Sequence, residues 1–206
     1  YMWKKLFLFL VFLEIIVVVV VYKWPSAIEA ALTAVRPTAD GPILQWTTTS
    51  SSHFTVLNDR VLQPTAADTT DYISVVGSGA TGAERDELLF SIARPFEDIS
   101  QINLWIYSKA VACNGRLADP IKCDTVSVNA AVAKREVPVT TVTPNTGSFS
   151  WVSVSLPAAS YLDYLNSLAT TTIKIILTRN TVGSGLNPND NILVAATYLE
   201  LITTPS

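Results

Sequence analysis

Ser148 to Leu156 reads SFSWVSVSL, and its period of two decides the fold class. Phe149 and Trp151 stand on one face, and Val152, Val154 and Leu156 on the other. Successive side chains of a strand point to opposite sides of a sheet, so this is the pattern of a half-buried β-strand. The same period returns in TTIKIILTR (171–179), where Ile173, Ile175 and Leu177 alternate around Lys174. Working outward, β-prone runs separated by turn signals begin at about Ile43. They are YISVV (72–76), ELLFSIA (87–93), INLWIYSKAV (102–111), TVSVNAAV (125–132) and ILVAATYLEL (192–201). One short helix is expected at ASYLDYLNSL (159–168). Strands at regular spacing without long intervening helices predict a β-sandwich or jelly roll over residues 43–206.

Bulk properties narrow the function. The 206 residues carry a net charge of −3, with 15% charged residues. No basic footprint for nucleic acid is present. Mean hydropathy is +0.35, and the excess is concentrated in LFLFLVFLEIIVVVVVY (6–22), whose single charge is Glu14. With Trp3 and Trp24 the segment reaches about 20 residues, enough to cross a hydrocarbon core of roughly 30 Å as a helix. It ends in bulky Tyr22-Lys23-Trp24-Pro25 rather than in a small-residue cleavage site, so the segment is expected to be retained. Lys4 and Lys5 ahead of it predict the N-terminus inside and the remainder outside.

After Pro25, SAIEAALTAV (26–35) is helical by composition, with Ser26 and Glu29 spaced as a capping box. Arg36-Pro37 ends it. The expected architecture is mainly β with a long N-terminal α-helix: residues 1–36 helical and kinked near Pro25, 37–42 a linker, and 43–206 an extracellular head.

Cys113 and Cys123 flank Asn-Gly and Asp-Pro turn signals and suit a disulfide-closed loop of an oxidising compartment. Two buried free thiols are the alternative. They are too few for a structural zinc site without a nearby histidine. Gly77-Ser-Gly79-Ala-Thr-Gly82 matches G-x-G-x-x-G, but no βαβ context surrounds it, so it reads as a loop between strands. His53, the only histidine, stands in TTTSSSHF and reads as a surface-loop residue. Asn187-Pro-Asn-Asp190-Asn191 offers oxygen ligands without the spacing of a calcium loop, and reads as a turn. No catalytic residue, metal or cofactor is expected. Trp46, Trp105, Trp151, Tyr72 and Tyr107 offer aromatic area either for the core or for a sugar-stacking face. Of these, Trp105, Trp151 and Tyr107 are the candidate ligand residues.

Two resemblances follow. DYIS, INLWIYSKA, SFSWVSVSL and ILVAATYLEL together resemble a β-sandwich module of phage-tail and cell-surface proteins, over about 60–201. Leu10-Val-Phe-Leu-Glu14-Ile-Ile-Val-Val-Val resembles the N-terminus of type IV pilins, where one acidic residue sits within a long aliphatic run. That resemblance implies that Glu14 is neutralised by a neighbouring subunit, through its amino terminus or Lys4 or Lys5. Ile15, Ile16, Val17, Val18, Val19, Val20 and Val21 would then pack as the core of a homopolymer. The implied role is structural: a self-assembling surface filament, stored in the cytoplasmic membrane before assembly. The alternatives are a membrane-anchored extracellular binding module, with glycans as a partner, and an accessory subunit of an envelope, virion or membrane complex.

Overall fold

The computed structural model describes residues 31–49, 52–76, 84–93, 99–111, 125–132, 135–156, 170–180 and 191–203. Among them are eleven strands and one short helix. In chain order these are β1 (Ala31–Val35), β2 (Ala39–Leu44), β3 (Thr47–Thr48), α1 (His53–Leu57), β4 (Ile73–Val76), β5 (Arg85–Ala93) and β6 (Ile99–Val111). There follow β7 (Thr125–Val132), β8 (Arg135–Val142), β9 (Ser150–Ser155), β10 (Thr170–Asn180) and β11 (Asn191–Thr203).

The strands make two sheets, β3-β4-β11-β6-β9 with β1 also on β11, and β2-β5-β10-β7-β8. Every pairing between named strands is antiparallel. From β4 onward the chain crosses between the layers so that β4-β11-β6-β9 faces β5-β10-β7-β8, the strand arrangement of a jelly roll. The expected β-sandwich is present.

Period-two alternation builds the core. Leu88, Phe90, Ile173, Ile175, Leu177, Val126 and Val128 face inward from one sheet. Ile73, Ile102, Leu104, Ile106, Val154, Leu199 and Leu201 meet them from the other. Each such side chain contributes about 1.5–3 kcal/mol when fully buried. In β11 the alternation changes phase. Val194 pairs with Ser108 but Ala196 pairs with Tyr107, leaving Ala195 as an extra residue in a bulge. Ile192 and Val194 point inward before it, and Leu199 and Leu201 after it. Ala196, Tyr198 and Glu200 are thereby turned to the outer face.

The N-terminal part of the expected architecture is corrected. Ala31–Val35, expected as the last turns of a helix through residue 36, is β1, paired with β11 from Thr203 to Leu199. Weak helical propensity loses here to the open edge of β11, which offers a full ladder of backbone partners, and Val35 packs against the inter-sheet core. A helix cannot run continuously into the head through this strand. Among the described residues the only helix is α1, and none is long and apolar enough to cross a membrane. The long-helix fold class, the type IV pilin-like form and the filament and transmembrane assignments built on it are overturned, since the described residues are mainly β with two antiparallel sheets. Lys4, Lys5, Glu14, Ile15, Ile16 and Val17 to Val21 lie outside the described residues, as do Cys113, Cys123, the Gly77–Gly82 loop and the helix expected at 159–168. The expected linker at 37–42 carries the start of β2.

β2 also holds α1. The Asp40 carboxylate accepts the backbone N–H of Phe54 at 2.7 Å and of His53 at 3.3 Å, and the Ser52 hydroxyl at 3.1 Å. It satisfies the first orphan N–H groups of the helix from outside, where the Ser52 N-cap makes no such bond of its own. The next residue must be glycine, because a Cβ on Gly41 would collide with the Cβ of Glu87 on the adjacent strand.

Candidate functional site

The outer face of the β11-β6-β9 sheet carries an aromatic layer, and cross-strand register builds it row by row. Ala196, Tyr107 and Trp151 form one row, Tyr198, Trp105 and Ser153 the next, and Glu200, Asn103 and Ser155 a third. Residues directly opposite on antiparallel strands have Cβ atoms about 4.5–5.5 Å apart and diagonal neighbours lie within reach of aromatic side chains, so rings can touch within a row and between adjacent rows. They do. Tyr107 and Trp151 have centroids 5.0 Å apart, Trp151 meets Tyr198 edge-on at 5.4 Å, and Trp105 stacks on Tyr198 at 6.2 Å with planes 17° apart. Phe149 closes the far end, stacked on Tyr107 at 5.4 Å with the Lys109 ammonium 5.8 Å from its ring centre.

The connection between α1 and β4 lies over one end of this layer. Val61, Ala67 and Tyr72 pack with Tyr107, Ala195 and Ala196. The Trp151 indole donates to the Thr65 carbonyl at 2.8 Å. Tyr107 and Tyr198 are buried in consequence. Burial raises the Tyr198 phenol above its ordinary value; a backbone hydrogen bond from Gln63 opposes this, the Glu200 charge adds to it, and Arg36 opposes it.

The other end stays open. Trp105 is only partly buried, and Ser153, Ser155 and Gln101, on the same face, are exposed. Here a hydrogen-bonded row fixes the polar groups. Glu200 Oε2 accepts from Asn103 Nδ2 at 2.8 Å and from the Trp105 indole N–H at 3.2 Å. Asn103 Oδ1 accepts from Gln101 Nε2 at 2.8 Å and from the Ser155 hydroxyl at 2.9 Å. The result is a pre-organised strip: a held indole bordered by an amide row and a carboxylate.

A second cluster is buried between the sheets. His53 Nδ1 lies 2.9 Å from both carboxylate oxygens of Asp86, and both residues are buried. Burial pushes Asp86 up to about 6, against the pull of His53 and the Trp46 backbone N–H, with the Asp40 charge adding to the rise. Both members are enclosed, so the pair serves the interior and presents no surface to a ligand.

Of the five aromatic residues singled out from sequence, four meet on the outer face. Trp105, Trp151 and Tyr107 are in contact through the rows above, and Tyr72 packs beside them. Trp46 instead belongs to the inter-sheet core, its indole donating to the Glu84 carbonyl at 3.2 Å. Tyr198, Glu200 and Asn103 were missed. A bulge sets the phase of Tyr198 and Glu200, and nothing in ILVAATYLEL announces it. His53 is corrected from a surface-loop residue to a buried helical one; only the Asp40 and Asp86 partners, distant in sequence, account for it.

No protein-family model matches the chain, and a search of curated proteins gives no match. Among solved structures the fold is similar to the enzymatically active domain of bacteriophage CBA120 tailspike protein 4, with a TM-score of 0.37 and 9% identity over 84% of this chain. It is also similar to Xylanase10C (mutant E385A) from Cellvibrio japonicus in complex with xylopentaose, with a TM-score of 0.38 and 9% identity over 81% of this chain. The matched region spans 19% of the tailspike chain and 29% of the xylanase chain.

Proposed function

We propose that the protein is an extracellular binding module that holds glycan chains on the outer face of β11-β6-β9. The observation that carries this reading is Trp105. Its indole is partly exposed, stacked on Tyr198 and tied by its N–H to Glu200. Exposed Ser153, Ser155 and Gln101 stand beside it.

A pyranose ring has an apolar face of C–H bonds and a rim of hydroxyls. Its C–H face suits the negative face of an indole, and its rim suits a row of fixed amides, hydroxyls and carboxylates. Stacking needs a ring that does not reorganise on binding, and the contacts of Trp105 hold it in advance. The proposed role is binding, with the Glu200 carboxylate positioning Trp105 and Asn103 through Oε2.

Affinity electrophoresis of the full chain in gels containing soluble polysaccharides tests the proposal. Retardation by at least one polysaccharide, relieved by Trp105→Ala, is the expected result. Retardation by none, or retardation unchanged in Trp105→Ala, rejects it.

A further inference from the structure

We infer that Glu200 makes this face selective for neutral glycans and sets it against uronic-acid chains, an inference that rests on the glycan-binding reading. The hydrogen-bonding groups left over in the open strip set its preference. Its indole N–H, one amide N–H of Asn103, the Ser155 hydroxyl hydrogen and one amide N–H of Gln101 are donated within the strip itself, so its remaining donors are the second N–H of each amide and the Ser153 hydroxyl. Glu200 Oε1, by contrast, makes no hydrogen bond among the described residues, and an ionised carboxylate only accepts. Gln101 Oε1 and the lone pairs of Ser155 add further acceptors on the exposed side.

Glu200 is the charged member of the strip, and its unfilled oxygen favours a ligand that brings donors. Neutral sugars carry a hydroxyl on nearly every ring carbon, each able to donate to Glu200 Oε1 in a charge-assisted bond. A uronate brings an acceptor-only anion in place of one such group, and a like charge set against a fixed carboxylate loses affinity. Among the described residues no cation is ion-paired with Glu200. Arg36 follows β1 and lies toward Tyr198, and its Nε donates to the Asp59 carbonyl at 2.6 Å. Lys109 is directed to Phe149, at the opposite end of the aromatic layer. Glu200 is bonded directly to the Trp105 indole on which the sugar would stack.

Calorimetric titration of the full chain decides the matter. The probes are neutral hexasaccharides of glucose, xylose, mannose and galactose, with hexagalacturonate and hexamannuronate as the anionic set. At least one neutral probe is expected to bind about tenfold or more tightly than either uronate, a difference of about 1.4 kcal/mol. Glu200→Gln keeps the shape and can still accept from Trp105 and Asn103. It is expected to weaken neutral binding several-fold and to close most of the gap to the uronates, whereas Arg36→Gln leaves the gap in place.

Uronates binding as tightly as neutral probes, with both lost in Trp105→Ala, would overturn the selectivity and leave the glycan face standing. A gap unchanged in Glu200→Gln would also overturn it. Binding of no probe in either set would remove the glycan reading and the selectivity together.

Discussion

Trp105 and Trp151 share one sheet face but are held by opposite partners: Trp105 donates its indole N–H to the side chain of Glu200, Trp151 to the backbone carbonyl of Thr65. The first contact lies within the open polar strip, and the second fastens a loop over the closed end. Two tryptophans on one face are therefore tied to different surroundings, one to the open polar strip and the other to a covering loop.

That difference can be measured by truncating each ring. Trp105→Ala is expected to lower glycan affinity about tenfold or more while costing about 1–2 kcal/mol of stability. Trp151→Ala loses contacts with Tyr107 and Tyr198 as well as the Thr65 bond. Its expected cost is larger, about 2–4 kcal/mol. Denaturant midpoints of the two variants, read beside their affinities, check the contrast.

Asp40 caps a helix that does not contain it. Asp40→Ala leaves the backbone N–H groups of His53 and Phe54 without their acceptor and is expected to destabilise by about 1–2 kcal/mol. Asp40→Asn keeps an acceptor oxygen and is expected to retain much of that stability. Chemical denaturation of the two variants in parallel distinguishes a cap from a charge effect.

Gly41→Ala places a methyl group against Glu87. The Glu87 carboxylate is buried and accepts from Lys174 at 3.0 Å, so the side chain has little freedom to yield. Strain of about 1–3 kcal/mol is expected. A drop in thermal midpoint of several degrees would register it.

Asp86 predicts a pH signature. Its folded pKa of about 6 lies above the reference value of 3.8. Between those values the folded protein keeps a proton that the unfolded chain has released. Linkage then makes this residue's contribution to stability fall as pH rises through the window, by about 1–3 kcal/mol in all, and level off above it. Asp86→Asn removes the titration while keeping an acceptor for the His53 ring. The stability difference between the variant and the wild type should therefore shift toward the variant as pH rises from 3.8 to about 6, and change little above that. A difference that stays constant would show that Asp86 does not titrate there.

The parts of the fold legible in the sequence are those governed by local alternation. SFSWVSVSL and TTIKIILTR each alternate with period two, and β9 and β10 form where they stand, although Ile176 on the other face of β10 is buried as well. TVSVNAAV is β7 itself. Legibility fails where a distant partner decides. ALTAV, expected as the end of a helix from its composition, becomes β1 because β11 offers an edge. REVPVTTV, which is not among the runs expected as strands and carries a proline, pairs along β7 as an edge, with a register shift where Asn129 meets Pro138.

The candidate face was half legible for the same reason. Trp105, Tyr107 and Trp151 share the parity of their strands and could be grouped from the sequence. Glu200 and Tyr198 reach that face only because Ala195 bulges out of β11. His53 gave no local signal at all, since its burial depends on Asp40 and Asp86 from two other strands.

The most direct test of the account is a backbone and indole chemical-shift titration of the full chain with a neutral oligosaccharide. The account predicts saturable shifts at the Trp105 indole and at Asn103, Ser153, Ser155 and Glu200, with β5, β10 and β7 unmoved. Shifts confined to those latter strands, or none at any accessible concentration, would contradict it.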